Sequence, residues 1–150
     1  MSTIVELMDG IRSAISGQYS DKIELVNRED LASNPDFILA NGFDVLVGAA
    51  TNENELRGRG NAISRTISVI LTKRITDSDL QNSSKHATEN ILLQEMVDIG
   101  SLLKTSRLVT SKVLNIEFSG DNGMSVTDTE KIKFLSTTLD FTVRYVEFYN

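Results

Sequence analysis

The sequence has no cysteine, no tryptophan, one proline and one histidine. Each shortage removes a class of chemistry. Without cysteine there is no disulfide, no thiolate metal site and no cysteine nucleophile. His86 alone cannot form a His–His metal pair and leaves little for general-base catalysis. Apolar runs such as Val69-Ile70-Leu71 and Ile91-Leu92-Leu93 fall far short of the roughly 20 residues that span a bilayer. Met1 to Ser20 carries Glu6 and Asp9 and lacks a basic lead, so no targeting segment is expected at this end. The expectation is a soluble protein made in the cytoplasm, with no membrane partner, no cofactor, no metal and no catalytic residue.

What remains is an ordinary globular composition. The 150 residues are 40% hydrophobic and 24% charged. That fits one domain, residues 1–150, able to bury about 68% of its extended surface without staples. The net charge of −6 argues against general duplex binding by phosphate neutralisation. Charge is uneven, however. From Leu56 to Thr76 stand Arg57, Arg59, Arg65, Lys73 and Arg74 with no acid, while every Asp and Glu lies elsewhere. This block could touch nucleic acid or pair with acidic protein surface. It has no interleaved aromatics to stack bases, which favours protein contact.

Thr3-Ile-Val-Glu6 fits a capping box, and Ile4, Leu7, Met8, Ile11 and Ile15 follow helical spacing to a stop at Gly17. A first amphipathic helix is expected over 3–16. Lys22 to Val26 reads as a short strand. Asn34-Pro35-Asp36 and Asn41-Gly42 are turn chemistry. Asp44 to Ala50 reads as a buried strand in which Gly48 marks a close approach. Residues 51–62 are polar and glycine-bearing, hence a loop, long enough to be functional. Ile63 to Ile75 alternates as a half-buried strand.

After a polar loop over 76–85, Ile91, Leu92, Met96, Ile99 and Leu103, widened by Leu93, Val97 and Leu102, predict a second helix over 85–104. Val113 to Ser119 is a strand. Gly120-Asp-Asn-Gly123 is turn chemistry favouring a reversal. Phe134 to Phe148 is the last strand, with Leu135, Leu139, Phe141, Val143 and Tyr145 on one face. The order α-β-β-β-α-β-β defines an α+β domain with a largely antiparallel sheet and two main helices.

At about 3.3 Å per residue the strands 63–75 and 134–148 would reach about 43 and 50 Å. A compact domain of this size is only about 38 Å across. Two readings stay open: bulges bend these strands, or the sheet projects as an arm whose edge another chain can pair with. Even positions of the last strand turn apolar at Val146 and Phe148, through a bulge or under a neighbouring subunit. The aromatic ending at Phe148 and Tyr149 needs cover from its own chain or another. The candidate interface residues are Glu53, Glu55, Leu56, Arg57, Arg59, Arg74, Val146, Phe148 and Tyr149.

Catalytic motifs fail on inspection. Gly58-Arg-Gly60 has no third glycine and leads into a strand, not a helix N-terminus. No Walker sequence or G-x-S-x-G elbow is present. Asp77, Asp79 and Asp121 read as single solvated turn acids. Glu24, Glu29 and Asp30 have no pocket to shift their acidity. His86 reads as an exposed residue in the first turn of its helix.

The pattern as a whole resembles the tail terminator, or tail completion, proteins of long-tailed bacteriophages. The resemblance is carried by the opening helix Thr3–Ser16, the strand Ile63–Ile75 after a flexible loop, and the helix Lys85–Lys104. The segment Ile116-Glu-Phe-Ser-Gly-Asp-Asn-Gly123 and the alternating run Lys133–Tyr145 complete it. It implies a homo-oligomeric ring, typically a hexamer, on the head-proximal end of the tail tube, in the virion after assembly in the host cytoplasm. The ring ends tube polymerisation, docks to the head connector or neck protein, and lets DNA pass through its lumen without specific binding. Its partners are itself, the tail tube protein and the connector, and its mechanism is closure of head-to-tail contacts. Two competing readings are a small dimeric ligand-binding or regulatory module and a carboxylate-only hydrolase.

Overall fold

The structure, a computed structural model, describes residues 2–25, 39–55, 60–75, 86–105, 112–128 and 133–149. Among these run helix α1 (Thr3–Gln18), strands β1 (Ile23–Glu24), β2 (Asn41–Glu55) and β3 (Gly60–Arg74), helix α2 (Ala87–Thr105), and strands β4 (Val113–Asp128) and β5 (Lys133–Phe148). The fold is α+β with the expected element order. One five-stranded sheet has the spatial order β1-β2-β3-β5-β4. Only the two-residue β1 pairs in parallel; the four long strands alternate in direction.

Period-two alternation sorts the sheet into two faces. Ile63, Ile67, Val69 and Leu71 of β3 and Leu135, Leu139, Phe141, Val143 and Tyr145 of β5 are buried under the helices, as the sequence pattern requires. Helix α1 adds Leu7, Met8, Ile11 and Ile15; α2 adds Leu92, Ile99 and Leu103. The opposite, open face is more exposed, although Ala62, Thr72 and Phe134 on it are buried. It presents Ser64, Thr66, Ser68, Ser136, Thr138 and Thr142, which tie one another and their neighbours: Ser68 Oγ donates to Asp140 Oδ1 at 2.6 Å, and Ser119 Oγ lies 2.6 Å from Thr142 Oγ1.

Several local expectations are corrected. Helix α1 is capped one residue earlier than the box predicts. Ser2 Oγ accepts from Val5 N, Thr3 turns into the core, and Glu147 of β5 accepts from the Thr3 and Ile4 amides at 2.9 and 3.0 Å. A carboxylate from 140 residues away in sequence thus satisfies helix-end donors that no local side chain reaches. The strand expected over 22–26 is only two residues long. In α2 the buried stripe is Thr88, Leu92, Glu95, Ile99 and Leu103, whereas Ile91, Leu93 and Val97 point outward. The helix is therefore less deeply covered than its apolar content suggests.

The loop expected over 51–62 is strand at both ends. Thr51, Asn52, Asn54 and Glu55 pair with Ser64, Ile63, Ala62 and Asn61, and residues 56–59 lie outside the described residues. Alternation is missing from this stretch because β2 beyond Gly48 is exposed on both faces. Likewise Gly120-Asp-Asn-Gly123 does not reverse the chain. Strand β4 runs through it with register shifts at Phe118/Gly120 and Asp121/Met124, and both glycines have positive φ. Asp121 Oδ1 accepts from Gly123 N, and Asn122 Oδ1 accepts from Thr138 N, so turn chemistry is absorbed as a bulge in an edge strand.

Strands β3 and β5 pair over 15 positions, Gly60↔Phe148 to Arg74↔Phe134, without a register shift. The ladder extends about 50 Å. The bulges lie in β2 and β4 instead. Nor does β5 switch face at Val146: the odd positions stay buried through Glu147, and Phe148 is exposed on the open side.

Candidate interaction surfaces

The sequence-predicted interface residues divide between two ends of the sheet. Glu53, Glu55, Val146, Phe148 and Tyr149 gather at the end where Gly60 faces Phe148. Arg74 is at the opposite end of β3, so it does not join them. Leu56, Arg57 and Arg59 lie outside the described residues. At the gathered end Glu53 Oε2 accepts from Arg144 Nη2 at 2.7 Å and from Nε at 2.9 Å, and Glu55 is exposed. Phe148 is half exposed, with Lys112 Nζ 5.5 Å from its ring centroid; Val146 is half-buried and Tyr149 exposed.

The described members of the basic block, Arg65, Lys73 and Arg74, do not form a patch. Strand periodicity sends Arg65 and Lys73 to the helical side and Arg74 to the open side. Lys73 is spent internally. Its Nζ lies 3.3 Å from Glu95 Oε1, while Glu95 Oε2 is 2.9 Å from Lys22 Nζ. Asn41 Oδ1 accepts from Lys22 Nζ at 2.8 Å and from Lys73 Nζ at 3.2 Å. Burial holds the Lys22 ammonium below the ordinary lysine range against the opposing pull of Glu95. Beside it, burial and the hydrogen bond to Asp98 push the Tyr19 phenol up. This network clamps α1, β2, β3 and α2 together.

Two grooves, both on the helical side, were missed by sequence reasoning. The larger, about 740 Å³, lies between α2 and the edge strand β4. Leu93, Met96, Val97, Ile116, Phe118 and Phe141 line it, with Lys104 and Asp121 at its rim. The Phe118 ring packs edge-on against Phe141 at 5.7 Å, yet Phe118 remains 56% exposed. The smaller, about 370 Å³, lies between α1 and β2 at the other edge, lined by Ile4, Val5, Met8, Asp9, Arg12, Val47 and Arg65. Arg65 Nε donates to Tyr145 Oη at 3.0 Å and its Nη1 to the Gly48 carbonyl at 2.9 Å. Among the described residues it has no carboxylate partner. The exposed halves of the α2 stripe and Val47 were the signal available in the sequence.

The candidate acids do not converge. Glu24 is bridged to Arg12 at 3.3 Å, Asp121 is a strand residue, and Glu29, Asp30, Asp77 and Asp79 lie outside the described residues. His86 immediately precedes α2, exposed, with Nδ1 3.2 Å from Glu89 Oε2. Among the described residues no group of three His, Asp or Glu could hold a metal ion, and no helix is long and apolar enough to cross a membrane. Comparison with protein-family models and with curated proteins finds no match.

Proposed function

We propose that this chain is a structural protein that assembles with copies of itself into a closed ring. More particularly, we read it as a phage tail terminator, a ring at the head-proximal end of a tail tube that ends tube growth and docks to the head connector. One observation carries the reading: four strands of 15 or 16 residues form a sheet in which, among the described residues, β4 has no strand on its outer edge and β2 only the two-residue β1, and β2 beyond Gly48 is exposed on both faces. A protomer with that much unpaired edge invites pairing with another chain. Head-to-tail contacts between copies close into rings when the rotation allows.

The passage of DNA fits the open face. There Asp44, Asp140 and Glu117 stand among hydroxyls, the cation Arg144 is held by Glu53, and the other arginine, Arg74, sits at the far end of β3. Such a wall repels phosphate rather than gripping it. No enzymatic activity is required of the protein.

Native mass measurement and negative-stain imaging test the reading. A ring of copies, typically six, or assembly triggered by tail tube protein, is expected. A stable dimer with a saturable small ligand would overturn it in favour of a ligand-binding module. That second reading draws on the α2–β4 groove, whose volume lies in the range of ligand pockets.

A further inference from the structure

We infer that the α2–β4 groove of one copy receives the α1–β2 edge of the next, so that the two grooves are the two halves of one head-to-tail interface. The inference rests on the ring reading and names the surfaces that build it. Four observations converge. First, the grooves lie at opposite edges of one sheet but on the same, helical side. Two copies continuing one sheet in the same orientation would bring them face to face.

Second, polarity is right. The long strands alternate over an even number, so β2 and β4 run in opposite directions. A second copy added in the same orientation places its β2 antiparallel to β4 and extends the ladder. Among the described residues β1 covers Gly42 and Phe43 of the β2 edge, and no other strand pairs along it.

Third, both surfaces are apolar and uncovered. Val97 is 63% exposed and Phe118 56% on one side; Val5 is 45% and Val47 50% exposed on the other. Apolar area of this kind, rimmed by charge, marks protein contact.

Fourth, charges left unmatched within the protomer are complementary between the two sides. Among the described residues Arg65 has no carboxylate, and Asp121 on the opposite edge accepts from the Gly123 amide alone. Lys104 at the rim of the larger groove has no partner among the described residues, whereas Asp9 beside the smaller one has only Arg12 at 3.6 Å. A self-pairing of two β4 edges about a two-fold axis would set Asp121 against a second acidic edge and leave Arg65 unused.

Val97→Glu and Val5→Glu test the inference. Both are exposed helix positions where glutamate is a good helix former, so each variant is expected to fold, with thermal unfolding as the check. The wild type assembles, and each variant alone is expected to remain monomeric by native mass measurement. Mixed in equal amounts, the two should give dimers and nothing larger: one variant keeps a sound groove, the other a sound edge, and both outward surfaces are spoiled. Wild-type-like assembly by either variant would overturn the inference while leaving a ring built through other surfaces. A wild-type dimer broken by Val97→Glu but indifferent to Val5→Glu would overturn both the inference and the ring. A wild type that stays monomeric at high concentration would do the same.

Discussion

Replacing Glu95 by leucine removes the carboxylate that pairs with the Lys22 ammonium and leaves it, among the described residues, the weaker pull of Asp21. The Lys22 side chain is wholly buried, and its remaining contacts would be Asn41 Oδ1 at 2.8 Å and the Tyr19 ring, whose centroid is 5.6 Å away. Breaking a buried ion pair from one side costs about 3–5 kcal/mol, because a charge is left in low dielectric. For a domain of this length that corresponds to a fall of roughly 6–20 °C in Tm. Lys22→Met should cost less, since Lys73 still holds Glu95 at 3.3 Å. The double variant Lys22→Met/Glu95→Leu should recover most of the loss, as apolar replacement of a buried pair is often neutral.

The pH dependence has a definite sign. The folded-state lysine is already depressed by burial, and removing Glu95 takes away the contacts that oppose the shift. Between the lowered folded value and the unfolded value near 10.4, the unfolded chain binds more protons, so stability rises with pH. Urea unfolding at pH 7 and pH 9 measures it, below the range where the raised Tyr19 phenol acts in the opposite direction. The Glu95→Leu deficit should shrink at pH 9. A deficit under about 1 kcal/mol at pH 7, or one that grows with pH, would refute a buried charged lysine held by this carboxylate.

Four other substitutions test the packing and the helix cap. Phe141→Ala should cost about 3–5 kcal/mol by urea unfolding, since the ring is buried against Phe118; a near-neutral result would contradict the face assignment. Gly48→Ala should cost about 1–3 kcal/mol, because an added Cβ would lie 2.8 Å from the Thr66 carbonyl oxygen. Gly100→Ala, in mid-helix with nothing near the added carbon, should instead gain about 0.5–1 kcal/mol. Glu147→Ala should cost about 1–3 kcal/mol by uncapping α1 and should shorten hydrogen-exchange protection in its first turn.

The two strands that bear the core were legible because one face of each is buried and the other wet. Val69, Leu71, Phe141 and Val143 alternate with Ser68, Ile70, Asp140 and Thr142, which largely fixes side and register. Legibility ends where that asymmetry ends. Asn52 to Glu55 belong to a strand with water on both sides, so nothing in their polarity marks them as paired. The Gly120–Gly123 stretch has the composition of a hairpin turn, but Thr138 draws Asn122 into the ladder and the chain continues straight. The Lys22–Asn41–Lys73–Glu95 cluster draws on β2, β3, α2 and the segment between α1 and β1, and no local spacing announces it.

For the interaction surface, the sequence pointed to residues of which the structure gathers Glu53, Glu55, Val146, Phe148 and Tyr149 at one end of the sheet, and not to the two grooves along its edges. Counting Arg57 to Arg74 as one basic block ignores the strand period, which sends Arg65 and Arg74 to different faces. The acid-free window still mattered, because it is why Arg65 reaches its groove without a carboxylate. The open face is largely polar, with Ser68 donating to Asp140 and Ser119 bonded to Thr142. The edges do need a partner: among the described residues β4 has no strand on its outer side and β2 only the two-residue β1, Val47 is half exposed, and Phe118, although packed edge-on against Phe141, stays 56% exposed. If copies of this protein associate, the physical demand therefore falls on the two edges under the helices, and the hydroxyl face is left as a wall of whatever those contacts enclose.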